Sequence, residues 1–359
     1  MSAAAEDRPL PLSGVRILDL GHVFQGPYAT FLMAMAGADV IKIEPPHGDM
    51  SRRRARDGDY PFRAINGCKR GVVLNLKTAR GRELLLELAR TAHVLVENFA
   101  PGVMPRLGLG ADVLLKENPR LVYASASGFG RTGPYADKLA LDLTIQAMSG
   151  LMSSTGERGG RPLKAGAPVA DFMSGAHLYG AVVTALFEVE RTGKGRVIEV
   201  SMLESMFAPL LPAAGHAYSS NSVPERSGNR HLADSYVPFD TFETRDGWIA
   251  IVCATDEHWS SLTQAMNRPD LAADVTLRHL SGRIARIDAL TDQLTVMGTV
   301  SLPNSPMRYV GSALRKLTPP PVLGEHTDRV LQEVCGLSDA QLAELRRAGV
   351  CAARPKDEG

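Results

Sequence analysis

The chain has 359 residues, 44% hydrophobic and 22% charged, which suits one large or two smaller globular domains and excludes a disordered or fibrous chain. Forty Lys and Arg against 39 Asp and Glu leave a formal charge of +1, so no whole-molecule field draws the chain to nucleic acid or an anionic membrane. Cys68, Cys253, Cys335 and Cys351 form no CxxC pair, which argues against a disulfide framework or structural zinc and suits a reducing cytoplasm. The N-terminus MSAAAEDRPLPLSG lacks a basic-then-apolar leader, and the apolar runs fall short of the roughly 20 residues that cross a bilayer.

In chain order, VRILDL (Val15 to Leu20) reads as a strand, Pro27 to Gly37 as a helix opened by proline and closed by glycine, and DVIKIE (Asp39 to Glu44) as a second strand. The alternation continues with Gly71 to Leu76, the helix Ala79 to Ala92, and the strands His93 to Phe99 and Leu121 to Ser127. Near-continuous apolar strands are buried on both faces, so the pattern predicts an α/β fold. Its mostly parallel sheet should carry the site at its carboxyl edge. A long helix, Phe172 to Arg191, ends at TGKGR, and the strand Arg196 to Met202 leads into a helical stretch, Leu203 to Ala217. The polar stretch Asn221 to Arg230 reads as a linker. A large domain over residues 1–220 then precedes a smaller α+β domain that starts at 221. In the small domain Asp246-Gly247 signals a hairpin. Beyond the proline run Pro319 to Pro321 come two helices, Glu325 to Val334 and Ser338 to Ala348, the second capped by Ser338.

Gly128 to Gly133 (GFGRTG) matches G-x-G-x-x-G after a predicted strand, but Pro134 and the polar YADK replace the helix that a dinucleotide fingerprint opens. The nine histidines make no HExxH or i, i+4 pair, so no metal ligand set is visible, and neither a GxSxG elbow nor a P-loop occurs. Asp171, in VADFMSGAH between a small-residue turn and a long apolar helix, has two compatible readings. It is a helix N-cap, or a nucleophilic carboxylate approachable by an acyl carbon. Asn66, Lys69, Arg70 and Lys77 flank one strand, and Asn98, Phe99 and Arg106 follow another. Singly these are solvated edge residues; together they suit a phosphate-bearing ligand with an aromatic ring for its base.

Seven ordered segments together make the chain similar to family III CoA-transferases, the group of formyl-CoA transferase and carnitine CoA-transferase, which shares its fold with α-methylacyl-CoA racemase. They are LSGVRILDLGHVFQGPYATFLMAMAGADVIKIEPPHGD, NGCKRGVVLNLKTARGRELL, VLVENFAPGVMPRLGLG, SGFGRTGPY, DLTIQAMSGLMSSTG, PPPVLGEHTDRVL and LRRAGV. The resemblance implies a Rossmann-like large domain (1–220) completed by a C-terminal return segment (301–359), a smaller domain between them (221–300), and two chains interlocked as rings in a homodimer. It puts the nucleophilic aspartate on Asp171. It puts coenzyme A contacts on Phe24 and Gln25, on Leu74, Asn75 and Lys77, on Asn98, Phe99 and Ala100, on Arg106, and on Leu139 to Asp142. The substrates it implies are an acyl-CoA and a carboxylic acid, with no metal, nucleic acid or membrane.

The racemases of this fold carry a His-Asp pair where this chain reads Leu141-Asp142, so the histidine for two-base proton exchange is absent. The run from Thr291 to Pro303 is a few dozen residues shorter than in relatives, which bears on the acyl pocket it would border. The glycine-run loop of formyl-CoA transferase is replaced by SGNRHLADSYVPFD, so oxalate is not supported as the preferred acceptor. The reading is thus an acyl-CoA:carboxylate CoA-transferase acting through an aspartyl acyl anhydride. The alternatives are a racemase or lyase with Asp171 as base and Asp142 as its partner, or a non-catalytic CoA-thioester binder. Backbone N–H groups near Gly150 or Gly175 are candidates for the oxyanion site.

Overall fold

The structure is a computed structural model that describes residues 8–53, 60–244, 247–291, 294 and 323–352. Two compact units emerge. One comprises the described residues within Met1–Ile145, Ala167–Met206 and Met307–Gly359; the other, those within Gln146–Gly166 and Phe207–Pro306. The second unit therefore takes in Gln146–Gly166 as well, and begins earlier than the linker at Asn221.

The first unit alternates strands and helices as the sequence predicts, with α2 in addition: β1 (Arg16–Asp19), α1 (Gln25–Met35), β2 (Asp39–Glu44), α2 (Tyr60–Asn66), β3 (Arg70–Leu74), α3 (Ala79–Arg90) and β4 (Val94–Glu97). Then come α4 (Val103–Arg106), α5 (Ala111–Glu117), β5 (Val122–Ser127), α8 (Val169–Thr192) and β6 (Arg196–Ser201); between β5 and α8, α6 (Asp142–Met148) spans the boundary between the units and α7 (Leu151–Ser154) belongs to the second. The sheet order is β6-β5-β4-β1-β2-β3, all parallel, extended by a short antiparallel strand, β9 (Cys351–Ala352). Both faces are covered because successive strand residues point to opposite sides. Ile17, Val40 and Val94 meet Met33, Leu178, Val182 and Val189 of α1 and α8. Leu18, Ile41 and Leu95 meet Leu84, Leu88 and Leu114 of α3 and α5. On that second face they also meet Val330, Leu342 and Leu345, from α15 (Thr327–Cys335) and α16 (Asp339–Arg347).

Helix α8 has 24 residues and, among the described residues, is the one helix long and apolar enough by composition to cross a membrane. Counting unbroken apolar runs missed it. Its buried side packs Leu178, Val182, Ala185 and Val189 onto the sheet, the packing of a core helix. All four cysteines are free thiols.

The helical stretch after β6 is broken. A short α9 (Met202–Ser205) is followed by a 3₁₀ turn at Ala208–Leu210 and α10 (Leu211–Ser220), with Pro209 and Pro212 at the two starts. In the second unit β7 (Phe239–Thr244) and β8 (Gly247–Val252) form the expected antiparallel hairpin; Asp246 of its turn lies outside the described residues. The helices there are α11 (Asp256–Ala265), α12 (Pro269–Ala273), α13 (Leu280–Ala285) and α14 (Ile287–Thr291). They enclose Val237, Phe242, Trp259, Leu277 and Leu290. Buried Arg283 is fully occupied, donating to the carbonyls of Val237, Leu277 and Arg278 and to Asp256 at 2.9–3.0 Å. Most of the shortened run from Thr291 to Pro303 lies outside the described residues.

Candidate active site

Strand order reverses between β1 and β4, and in open parallel sheets ligands settle in the crevice beyond the strand ends at that point. The two loops leaving these strands are tied together. The His22 N–H donates to Asn98 Oδ1 at 2.7 Å, and Asn98 Nδ2 donates back to the His22 carbonyl at 3.0 Å. Glu97, buried at the end of β4, accepts the Phe99 N–H at 2.9 Å and the Tyr123 hydroxyl at 3.2 Å and pairs with Arg131, so the Phe99 backbone is fixed from below.

Two cavities open at this crevice. The larger, a cleft of about 900 Å³, is walled by Pro45 to Gly48 after β2, by Leu74 to Lys77 after β3, and by Asn98, Phe99, Ala100, Val103 and Leu107. The smaller, of about 170 Å³, is lined by Val23, Gln25, Gly128 to Gly130, Lys138 to Leu141 and Asp171. His22, Asn98, Phe99 and Ala100 belong to both walls, so the two spaces adjoin.

Asp171 lies in the first turn of α8, whose N-cap is Pro168. The N-cap reading of Asp171 is therefore corrected: Asp142, at the start of α6, does the capping from outside. Its Oδ1 accepts the Ala170 N–H at 2.8 Å and the Asp171 N–H at 3.3 Å. Helix α8 approaches α1 closely at Gly175, one turn beyond Asp171, where a Cβ would stand 2.8 Å from the Gln25 carbonyl oxygen. Phe172 packs on Phe24 and Tyr28 at ring-centroid distances of 5.6 and 4.8 Å. Gly175 thus serves helix packing from inside α8, and Gly150 lies in the other unit.

Of the residues named from the sequence, Leu74, Asn75 and Lys77 line the larger cleft, Gln25, Leu139 and Asp171 the smaller pocket, and Asn98, Phe99 and Ala100 both. Phe24 lines neither and backs the site through Phe172. Asp142 holds the α8 N-terminus. Arg106 lies on α4 between the cleft residues Val103 and Leu107, its Nη1 3.4 Å from the Pro101 carbonyl.

The basic cluster around β3 is corrected except for Lys77. Lys69 and Asn66 are buried, and Arg70 is bound to Asp39 and Glu333. Lys69 Nζ donates to Asp19 at 2.9 Å, to the Pro27 carbonyl at 2.8 Å, to Thr30 at 2.9 Å and to Asn66 at 2.8 Å. Lys42 donates to the Gly21 carbonyl at 2.7 Å and stands 3.6 Å from Asp49, which lies 3.5 Å from His22 Nδ1. Burial alone would raise the Asp19 pKa, but Lys42 and Lys69 outweigh it and hold the carboxyl below its ordinary value. Asp49 is likewise held well down, its burial outweighed by His22, Lys42 and Ser51. Burial lowers Lys69 to about 8, against the pull of Asp19. This network braces the β1–α1 turn from beneath.

His22, Val23, the Pro45 to Gly48 wall and the Gly128 to Gly130 wall were not anticipated. Gly128 and Gly130 wall the pocket, and a Cβ at Gly128 would overlap Ala140. Asp19, Lys42 and Glu44, charges inside otherwise apolar strands, were the available signal of a buried network beneath the site. Among the described residues no group of three or more His, Cys, Asp or Glu is placed to hold a metal ion.

Residues 12–299 match the family model for CoA-transferase family III, and the chain belongs to that family; it is a CoA-transferase. An acetyl-CoA:oxalate CoA-transferase of Acetobacter aceti is 41% identical over 285 residues, covering 78% of this chain and 73% of its own. A succinyl-CoA:glutarate CoA-transferase of Mus musculus is 31% identical over 96% of this chain and 91% of its own. A CAIB/BAIF family protein from Brucella suis superposes with a TM-score of 0.83 at 29% identity, covering 91% of this chain and 100% of its own.

Proposed function

We propose that the chain moves CoA from an acyl-CoA donor to a free carboxylic acid through an anhydride on Asp171. The observation that carries this reading is the placement of Asp171 in a small pocket that adjoins a long cleft. The cleft suits the nucleotide end of CoA, with Lys77 for a phosphate and Phe99 for an aromatic contact, and the thioester then reaches the pocket. An Asp171 oxygen bonds to the thioester carbonyl carbon, and the C–S bond breaks with its electron pair leaving on the thiolate. The thiolate returns to the Asp171 carbonyl, releasing the first acid and leaving an aspartyl-CoA thioester. The acceptor carboxylate attacks this thioester to form a second anhydride, and CoA then takes its acyl group. A carboxylate is a weak nucleophile, so rate comes from holding the partners together at the expense of CoA binding energy.

The relatives are named for oxalate and for glutarate, so the acceptor is a small carboxylate whose identity a panel of acids decides. Mass spectrometry of products from mixed acyl-CoA donors and acids tests the reading. New acyl-CoA species with the parent and none with Asp171→Asn or Asp171→Ala are expected, with CoA affinity held within about tenfold. Near-normal transfer in either variant removes Asp171 from the chemistry. Exchange of the α-hydrogen without transfer favours the racemase reading instead.

The proposed assembly is an interlocked homodimer. In its support, Phe187 on α8 is 66% exposed and Val197 on the edge strand β6 is 41% exposed, apolar surface that a second copy would cover. A dimer in sedimentation that does not exchange subunits between differently tagged samples is expected; a monomer or rapid exchange contradicts it.

A further inference from the structure

Gln25 is 2% exposed, lines the same small pocket as Asp171, and among the described residues its side-chain Nε2 has no hydrogen-bond partner. A buried amide donor left unmade keeps its full desolvation cost, so its retention in a pocket calls for an acceptor that arrives with a ligand. Its location is fixed on both sides. The Gln25 carbonyl packs against Gly175, which lies four residues beyond Asp171 on the same face of α8. Before it, Val23 is held at φ 61°, a left-handed conformation that a β-branched side chain rarely takes, and this strained turn sets where α1 begins. The terminal torsion of a glutamine side chain is broad, so the carboxamide turns to meet a ligand without moving the helix.

We infer that the Gln25 side-chain amide is a catalytic donor that hydrogen-bonds the acyl oxygen as Asp171 attacks the thioester. As the Asp171 oxygen bonds to the carbonyl carbon, the carbonyl π pair moves onto the acyl oxygen, and Gln25 N–H donates to that oxyanion. The pair returns when the C–S bond breaks and the thiolate leaves, and no proton changes hands. This gives Gln25 a task beyond holding CoA: the bond strengthens as charge develops, which lowers the barrier instead of only tightening binding.

The inference rests on Asp171 as nucleophile, so Asp171→Asn is measured beside it. The test is Gln25→Met, which keeps the length of the side chain and removes the donor, and Gln25→Glu, which puts an acceptor in its place. With acetyl-CoA and succinyl-CoA as donors, kcat is expected to fall roughly a hundredfold in both variants while KM for the donor changes less than about threefold. The melting temperature of ligand-free Gln25→Met should equal or exceed the parent's, because a partnerless buried amide is replaced by an apolar thioether. A lower melting temperature shows that the amide is bonded within the fold and overturns the inference. A raised KM with unchanged kcat makes Gln25 a binding residue only, which also overturns it. If Asp171→Asn is inert while Gln25→Met turns over normally, the nucleophile stands and the Gln25 role falls; if Asp171→Asn turns over, both fall.

Discussion

Between β1 and α1 the chain places a β-branched residue at φ 61°, begins a helix with no side-chain cap, and, among the described residues, leaves the Nε2 of the first helical side chain without a hydrogen-bond partner. At the other end of the same unit, α16 opens with a complete capping box: the Ser338 hydroxyl accepts the Gln341 N–H, and Gln341 Oε1 accepts the Ser338 N–H at 2.8 Å. Its neighbour α15 closes on Gly336 at φ 67°, where glycine is the natural residue. The Ser338 cap and the Gly336 close follow local rules and serve stability, whereas the turn breaks several such rules within five residues and is held by the charges beneath it. Local inconsistency of that kind concentrates where a ligand must be met.

The largest expected effect comes from breaking the brace. Lys69→Met leaves Asp19 buried beside one cation at 3.9 Å instead of two and should cost about 3–5 kcal/mol in urea unfolding at pH 7. The double variant Asp19→Asn with Lys69→Met should recover part of that loss, because it removes the uncompensated charge. Equal stability of Lys69→Met and the parent would mean that the network does not hold the turn.

Arg106→Ala should raise KM for acyl-CoA by roughly ten- to a hundredfold with kcat at saturation nearly unchanged, since a remote phosphate contact contributes uniform binding. The rise should shrink with a pantetheine thioester that lacks the nucleotide. Equal discrimination between the two donors by variant and parent would place Arg106 off the nucleotide.

Acid should loosen the turn before the tail. Asp19 and Asp49 have folded pKa values below the ordinary 3.8, so their stabilisation is present above that value. As pH falls through it the unfolded chain takes up protons that the folded chain refuses, and stability drops. Hydrogen exchange at pH 3 against pH 6 should show protection lost first around Gly21 to Thr30; earlier loss in α16 would reverse the order.

The smallest effect is Ser338→Ala, about 1 kcal/mol in urea unfolding with transfer unchanged. A comparable drop in activity would tie the tail to the site.

The order of strands and helices was legible because apolar runs, Pro27, Gly37 and the Ser338 cap carry local signals that the sheet does not override. In the candidate site, residue pattern already singled out Asp171, Lys77, Asn98 and Phe99, and the resemblance added Gln25, Leu74, Asn75, Ala100 and Leu139, which line the cleft and the pocket. Spacing alone misread Lys69 and Asn66, because a buried lysine and a solvated one look alike until Asp19, Thr30 and the Pro27 carbonyl converge on it from other elements. Asp171 as its own cap failed for the same reason: the capping carboxylate comes from Asp142, 29 positions away. The turn at His22 and Val23 gave no periodic signal at all.

The account turns on a covalent bond to Asp171, and oxygen isotopes report on it directly. With an acceptor acid labelled in both carboxylate oxygens with ¹⁸O, the anhydride breaks so that one acceptor oxygen stays on the enzyme. Peptide mapping after several turnovers should find ¹⁸O in the Asp171 carboxylate of the parent. Complete transfer with an unlabelled Asp171 would contradict the anhydride route.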